Sequence, residues 1–229
     1  MLKIFPKHIA VIMDGNSRWS IKNNLPKKIG YQKGIDSLER LLKTCIKLKI
    51  KIITVYALST ENTNRKNVKD LYSLIRYYIK NKYDQNKFKE IDFRLIGDRK
   101  NIQKDILTFF NKIEKRKIKK NKIIFNLAYN YGSWNELSNC INNIFYEKQK
   151  NDNYKINEVN IKKNLYTKDL PDPDILIRTG GNLRLSNFML LQLKYTELFF
   201  LDTLWPDFNE NHLINILKEF SNRKRTFGL

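Results

Sequence analysis

Short apolar runs alternate with segments in which apolar residues recur every three or four positions, and the alternation extends along almost the whole chain. Six runs read as strands: 9–13, 52–58, 91–96, 122–128, 174–178 and 197–201. Between the first two, Ile35, Leu38, Leu41, Leu42, Cys45 and Ile46 fall on one helical face, and Val68, Leu71, Ile75 and Ile79 do the same further on. Segments 101–115 and 134–148 have helical spacing, and 209–222 closes the chain as a helix after Trp205-Pro206. Continuously apolar strands separated by helices predict an α/β fold: a central, mostly parallel sheet flanked by helices. The polar stretch 147–170 is expected to be a connecting loop with a short helix. Residues 1–229 are therefore read as a single domain.

The unusual polar residues follow the strands. Asp14-Gly15-Asn16 follows the first and Ser59-Thr60-Glu61-Asn62 the second. Gly97-Asp98-Arg99 follows the third, Asn130-Tyr131-Gly132 the fourth and Arg178-Thr179-Gly180-Gly181 the fifth, with Arg184, Ser186 and Asn187 close behind. In a parallel sheet these carboxyl ends share one edge, where ligands bind, so five converging loops predict a site. Asp14 and Glu197 are hard oxygen ligands for a divalent cation. Arg18, Arg65, Arg178 and Arg184 are fork-shaped donors suited to phosphate, and Ser59 and Ser186 add hydroxyls. Gly15, Gly180 and Gly181 would let backbone N–H groups approach an anion. The chain has neither a Walker lysine motif nor G-x-G-x-x-G, which disfavours an NTPase or a dinucleotide enzyme. Several arginines and one metal suit two phosphorylated groups handled together.

Segment 68–79, with Leu74 and Tyr78 added to the residues above, is apolar around more of its circumference than packing on one sheet needs. With Leu58, Ile96, Ile124 and Phe125 it either walls a hydrophobic channel or is a two-sided core helix; periodicity alone favours the core helix.

Composition narrows the chemistry. Lys and Arg number 44 against 23 Asp and Glu, a net charge of +21. The excess reads either as a solvated surface rich in Lys, Asn and Ile or as attraction to a polyanionic partner. With only His8 and His212, a histidine-rich zinc site is excluded, and a metal would be held by carboxylates, which suits magnesium. Cys45 and Cys140 lie in no paired motif and read as small core residues. No apolar run is long enough to span a bilayer and no signal peptide is evident, so a cytoplasmic protein is expected, with peripheral contact at a membrane surface.

Five motifs together resemble the cis-prenyltransferases, nearest to the bacterial undecaprenyl diphosphate synthases. They are His8-Ile9-Ala10-Val11-Ile12-Met13-Asp14-Gly15-Asn16, Tyr56-Ala57-Leu58-Ser59-Thr60-Glu61-Asn62, Ile175-Leu176-Ile177-Arg178-Thr179-Gly180-Gly181, Arg184-Leu185-Ser186-Asn187-Phe188 and Trp205-Pro206-Asp207-Phe208. The resemblance runs from His8 to Gly228, and the end Arg223-Lys224-Arg225-Thr226-Phe227-Gly228 is similar to a family terminus that reaches the partner subunit's site. It implies successive condensation of isopentenyl diphosphate onto an allylic diphosphate, such as farnesyl diphosphate, each step leaving a cis double bond. A hydrophobic product tunnel, a homodimer and a product such as undecaprenyl diphosphate, precursor of the lipid carrier for cell-wall glycans, are implied with it.

By position, the resemblance makes Asp14 the ligand of the magnesium that draws off the allylic diphosphate, with Glu197 completing the metal site. Gly15, Asn16, Ser17, Arg18 and Trp19 would hold that diphosphate, and Arg178, Arg184, Leu185 and Ser186 the isopentenyl diphosphate. Lys27, Tyr31, Ser59, Thr60, Glu61, Thr63 and Arg65 complete the implied substrate contacts. Asn62 would orient the proton lost after carbon–carbon bond formation, although an amide is a poor base. The chain departs from the family at Lys27 and Tyr31, where Arg and His are usual, and at Thr63 for a customary Trp. Leu183 stands where a His is common, and Trp134 where an Arg is. A non-catalytic partner subunit would typically lose Asp14 and the arginine motif, and this chain keeps both. A nucleic-acid binder would interleave basic residues with exposed aromatics, whereas here the arginines gather behind strand ends.

Overall fold

The computed structural model describes residues 5–62, 68–81, 83–84, 86, 88–116, 118 and 122–225, with the backbone alone at 68–71. Six strands, β1 (His8–Ile12), β2 (Ile52–Ser59), β3 (Ile91–Ile96), β4 (Ile123–Tyr131), β5 (Ile175–Arg178) and β6 (Glu197–Phe200), form one sheet in the order β3-β4-β2-β1-β5-β6. Every pairing is parallel. Seven helices join them among the described residues: α1 (Asn16–Lys22), α2 (Lys27–Lys47), α3 (Val68–Asn81), α4 (Lys104–Glu114), α5 (Ser133–Lys150), α6 (Glu158–Lys163) and α7 (Glu210–Asn222). The strands match the expected runs to within a few residues. The segment expected to be loop with a short helix gives up its first residues to α5 and carries α6.

β1 is apolar at every position after His8 because both of its faces are covered. Ile9 and Val11 join the larger core with Leu41 and Leu42 of α2, Ile106 of α4 and Leu213 and Leu217 of α7. Ala10 and Ile12 point the other way, into a smaller core with Leu176, Ala128, Tyr131 and Phe188. A central parallel strand has no solvent face, hence no polar alternation. Cys45 and Cys140 are free and buried, as expected of small core residues.

Two contacts set α1 against the sheet edge. At Gly30 a Cβ would come within 2.2 Å of the Asn16 carbonyl oxygen, so only glycine lets α2 cross α1 this closely. The Ser20 hydroxyl accepts from the Gly30 N–H at 2.9 Å, and the Trp205 indole donates to the Gly34 carbonyl at 2.8 Å. The N-terminal turn of α2 and the first turn of α1 are thereby fixed beside the carboxyl end of β1.

His8 is fully enclosed at the opposite edge. Its ring nitrogens meet the Pro171 carbonyl at 2.7 Å and the Thr54 hydroxyl at 2.8 Å, and Asn126 donates to the same hydroxyl at 2.9 Å. Burial disfavours the imidazolium and lowers its pKa from 6.5 to about 4. Between those values the unfolded chain binds a proton that the folded chain refuses, so stability falls as pH drops through this window. The total loss has a ceiling of about 3 kcal/mol. Urea midpoints measured from pH 7 to pH 4 should therefore fall more steeply for the parent than for His8→Gln.

Candidate active site

The carboxyl ends of β1 and β5 are tied by one buried guanidinium. Arg178 ends β5 level with Ile12 of β1, and its side chain is 4% exposed. Its Nη2 donates to Asp14 Oδ2 at 3.0 Å, and its Nη1 donates to Ser186 Oγ at 2.8 Å and to the Arg184 carbonyl. Asn182 Nδ2 donates to the same Asp14 oxygen at 2.8 Å, and Arg18 Nη2 lies 3.0 Å from the other. Burial pushes the Asp14 carboxyl up, but the hydrogen bonds from Asn182, Arg178 and Arg18 outweigh it and hold the group below the usual carboxylate range. Asp14 is therefore an ionised, partly exposed carboxylate held in one orientation.

The loop after β5 must pass very close to α1. Gly180 has φ +87, and a Cβ there would meet Arg18 Nη2 at 2.5 Å. Arg18 Nη1 donates to the Gly180 carbonyl at 2.6 Å. The N–H groups of Gly180 and Gly181 donate to the carbonyls of Thr203 and Leu201. They shape the turn and do not offer themselves to an anion, which corrects the sequence expectation. The Thr179 hydroxyl, 2.7 Å from the Asp14 carbonyl, and the Trp205 N–H, 3.0 Å from it, complete the support of that backbone.

The second wall comes from β2. Ser59, Glu61 and Asn62 border the same polar pocket as Asp14, Arg18, Arg178, Asn182, Arg184, Ser186 and Asn187. The Ser59 hydroxyl accepts from the Asn62 N–H at 3.2 Å, and Glu61 accepts from the Asn187 amide at 2.7 Å. Tyr56 donates to the Tyr131 carbonyl at 3.1 Å and to the Ser186 carbonyl at 3.3 Å, and its ring stacks on Phe188 at 4.5 Å. The turn after β4 supports this loop from behind, through the Ser133 N–H to the Asn187 carbonyl and the Leu190 N–H to the Ser133 hydroxyl. The turn after β3 takes no part: Asp98 bonds to Asn130, and Arg99 pairs with Glu114. Three of the five expected loops thus border the pocket and a fourth buttresses it.

Beneath the polar pocket an apolar cavity shares Met13, Tyr56 and Ala57 with it. Tyr31, Ile35, Leu38 and Leu42 of α2 form one wall and Leu74, Ile75 and Tyr78 of α3 another. Phe88, Phe93, Phe109, Phe110, Phe125 and Tyr129 supply an aromatic part of the lining. Of the expected channel residues, Leu74, Ile75, Tyr78 and Phe125 line it. Leu58 borders the polar pocket, Ile96 packs in the smaller core on the other face, Ile79 and Ile124 line neither, and the side chains of Val68 and Leu71 lie outside the described residues. The α2 wall was missed because its periodicity is that of any core helix.

Several expected contacts fall elsewhere. Glu197 begins β6, level with Ile175, whereas Asp14 lies beyond the carboxyl end of β1. Glu197 is thus level with Ile9, and it lies more than about 10 Å from Asp14 along the strand direction alone. Glu197 instead pairs with Arg223 at 2.7 Å, so within one chain it does not complete a metal site with Asp14. The Trp19 indole donates to Asp207 at 2.6 Å and clamps α1 to the 3-10 turn Trp205–Asp207. Leu185 packs on the smaller core, Asn16 and Tyr31 line the apolar cavity, and Lys27 is exposed at the start of α2. Gly15 and Ser17 adjoin the pocket through Asp14 and Arg18 without bordering it, and Thr60 lies against Gly132. Thr63, Arg65 and 226–228 lie outside the described residues. Asn182 and Tyr56 were missed as site residues; an amide two places after Arg178-Thr179-Gly180 was the available signal for the first.

Among the described residues no three metal-ligating side chains gather in one place. Asp14 offers one hard carboxylate beside three arginines, and magnesium commonly takes one or two carboxylates plus substrate phosphate oxygens. The donor set fits magnesium brought in with a diphosphate and does not fit a cage made of protein ligands alone.

A family model for undecaprenyl diphosphate synthases, of the prenyltransferase group, matches residues 12–228. An isoprenyl transferase from Fusobacterium nucleatum is 39% identical over 230 residues, covering 100% of this chain and 98% of the relative. One from Rickettsia bellii is 41% identical, covering 97% of each. The crystal structure of lavandulyl diphosphate synthase from Lavandula x intermedia, in complex with dimethylallyl diphosphate, superposes with a TM-score of 0.86 at 29% identity, covering 98% of both chains.

Two of the pocket's three arginines, Arg178 and Arg184, should behave differently when removed. Arg178→Ala should destabilise the protein by about 3 kcal/mol, because Asp14, Ser186 and the Arg184 carbonyl lose their buried donor. Arg184 is exposed, and Arg184→Ala should stay within about 0.5 kcal/mol of the parent. Urea denaturation of the two variants checks both values.

Proposed function

The chain belongs to the undecaprenyl diphosphate synthase family of cis-prenyltransferases, and we propose that it condenses isopentenyl diphosphate onto an allylic diphosphate in this pocket. The observation that carries the assignment of the site is the direct junction of a cationic polar pocket with an apolar cavity at Met13, Tyr56 and Ala57. An allylic diphosphate is charged at one end and hydrocarbon at the other, and the junction divides in the same way. The complex of lavandulyl diphosphate synthase with dimethylallyl diphosphate is an allylic diphosphate bound on this fold. Farnesyl diphosphate is the primer we assign.

In this reading Arg18 and the first turn of α1 bind the allylic diphosphate, while Arg184 and Ser186 bind the isopentenyl diphosphate. Arg178 acts as a positioning residue, since its fork holds Asp14 and Ser186 in place. Magnesium held at Asp14 would neutralise charge on the departing pyrophosphate. Arg18 and Arg184 would donate to the oxygens on which that charge develops, with Asp14 acting through the metal it would hold. Asn62, whose backbone N–H donates to the Ser59 hydroxyl and which borders the pocket, is assigned the orienting of the proton lost after bond formation. The prenyl chain then lengthens into the apolar cavity, and the aromatic cluster in its lining sets the length. Phe93 contacts Phe110 and Phe125 at centroid distances of 5.7 Å, and Phe110 contacts Tyr129 at 5.7 Å.

A homodimer is part of the proposal, supported by a row of exposed apolar side chains on α5, Trp134, Ile141 and Phe145, and by β6 at an open sheet edge with Leu198 exposed. Sedimentation at micromolar concentration reads the oligomeric state directly. The net charge of +21 supports peripheral, salt-sensitive contact with anionic membrane, to which a long lipid product must pass. Among the described residues no helix is long and apolar enough to cross a membrane.

Incubation with farnesyl diphosphate, labelled isopentenyl diphosphate and magnesium, followed by chromatography, tests the reading. Asp14→Ala should lower turnover by about two orders of magnitude or more with the fold retained; turnover within a few-fold of the parent would remove Asp14 from the metal site. Arg184→Ala should raise KM for isopentenyl diphosphate about tenfold and leave that for the allylic substrate unchanged. Equal effects on both would mean the two diphosphate subsites are reversed. Phe125→Leu should lengthen the product by at least one isoprene unit, and an unchanged product ladder would place the length limit elsewhere.

A further inference from the structure

The segment from Ile21 to Lys28, which joins α1 to α2, is exposed at every residue. Between Asp14 and Asp36 the chain has five cations, Arg18, Lys22, Lys27, Lys28 and Lys33, and no carboxylate. Two aliphatic side chains stand in water among them, Ile21 at 65% exposure and Leu25 at 41%. Single exposed aliphatics are ordinary on a protein surface. A pair held on a basic, acid-free turn is not accounted for by packing.

The turn is built to hold them. Asn24 adopts φ 54, the Asn24 N–H donates to the Ile21 carbonyl at 3.1 Å and the Leu25 N–H to the Ser20 carbonyl at 2.9 Å. The Ser20 hydroxyl binds the Gly30 N–H from beneath, and Pro26 caps α2. The location matters as well. The Lys28 ammonium lies 5.7 Å from the ring centroid of Tyr77 on α3. One turn from this contact, Tyr31 after Lys28 on α2 and Leu74 before Tyr77 on α3 line the apolar cavity.

We propose that residues 21–28 dock the protein on an anionic lipid bilayer. Ile21 and Leu25 enter the boundary between headgroups and acyl chains, and Lys22 and Lys28 meet anionic headgroups. The α2–α3 wall of the cavity then lies against the membrane that receives the prenyl product. Nucleic acid fits the surface less well, because the apolar groups are aliphatic and offer no stacking platform. The inference rests on the prenyltransferase reading for its purpose, and it narrows the general attraction of a basic protein to one turn.

Flotation of the full chain with vesicles of phosphatidylglycerol and phosphatidylcholine, or of phosphatidylcholine alone, tests it without turnover. Ile21→Ser/Leu25→Ser should keep the parent's thermal midpoint and its prenyl transfer in detergent, yet bind anionic vesicles roughly tenfold or more weakly. Lys22→Gln should weaken the same binding about fivefold. No binding of the parent to anionic vesicles would overturn both the membrane reading and this surface. Parent binding matched by the double variant would leave membrane contact to the scattered lysines and overturn the surface alone. Tighter binding of a single-stranded oligonucleotide, weakened equally by the double variant, would make the turn a nucleic-acid site and also overturn the proposal. Failure of the parent to transfer prenyl groups would defeat the functional reading and leave these binding ratios unaffected.

Discussion

The site depends on the buried fork of Arg178. One guanidinium at the end of β5 fixes the carboxylate after β1, the hydroxyl of Ser186 and the carbonyl of Arg184. A desolvated arginine is costly unless its donors are matched, and these partners supply the match. Its Nε is buried without a partner among the described residues, so the compensation is incomplete, as is common where geometry serves chemistry more than stability. Arg178 converts strand register into site geometry: Ile12 pairs with Arg178 in the sheet, and the side chain then sets where Asp14 can be.

Polar and apolar halves of the site are separated by the sheet's own construction. The loops at the carboxyl edge carry the cations and most of the amides, while the space between the sheet and the α2–α3 pair is lined mainly by aliphatic and aromatic groups, with Asn16 and Glu39 as its polar exceptions. A substrate with a charged head and a hydrocarbon tail satisfies both without burying an unpaired charge. The family's departures are read most easily against this division. Leu183 is 78% exposed and offers no ligand to Asp14's neighbourhood, and Trp134 is 69% exposed on α5, away from the pocket lining. Tyr31 faces the apolar cavity, where an aromatic ring is at home, and Lys27 stands in solvent as a point charge in the first turn of α2. None of them disturbs the contacts around Asp14.

Much of this was legible in the amino-acid sequence, because strand and helix periods differ and because a buried parallel strand needs an unbroken apolar run. The order of strands and helices, the small-residue role of both cysteines and the gathering of Asp14, Ser59, Asn62, Arg178, Arg184 and Ser186 at one edge all follow from pattern and spacing. What periodicity could not give was the partner of each polar side chain. Glu197 has the chemistry of a metal ligand, but its position at the start rather than the end of β6 sends it to Arg223. Trp19 is adjacent in sequence to phosphate-binding candidates, yet a helix turns it toward Asp207. Whether α3 walls a cavity or fills a core depends on how far α2 stands from it, a tertiary distance that periodicity does not contain. The sequence by itself determined the sheet, its ligand edge and the chemical class of the site; tertiary structure decided which donors are already bound to one another and where the apolar space opens, because those depend on distances between segments remote in the chain.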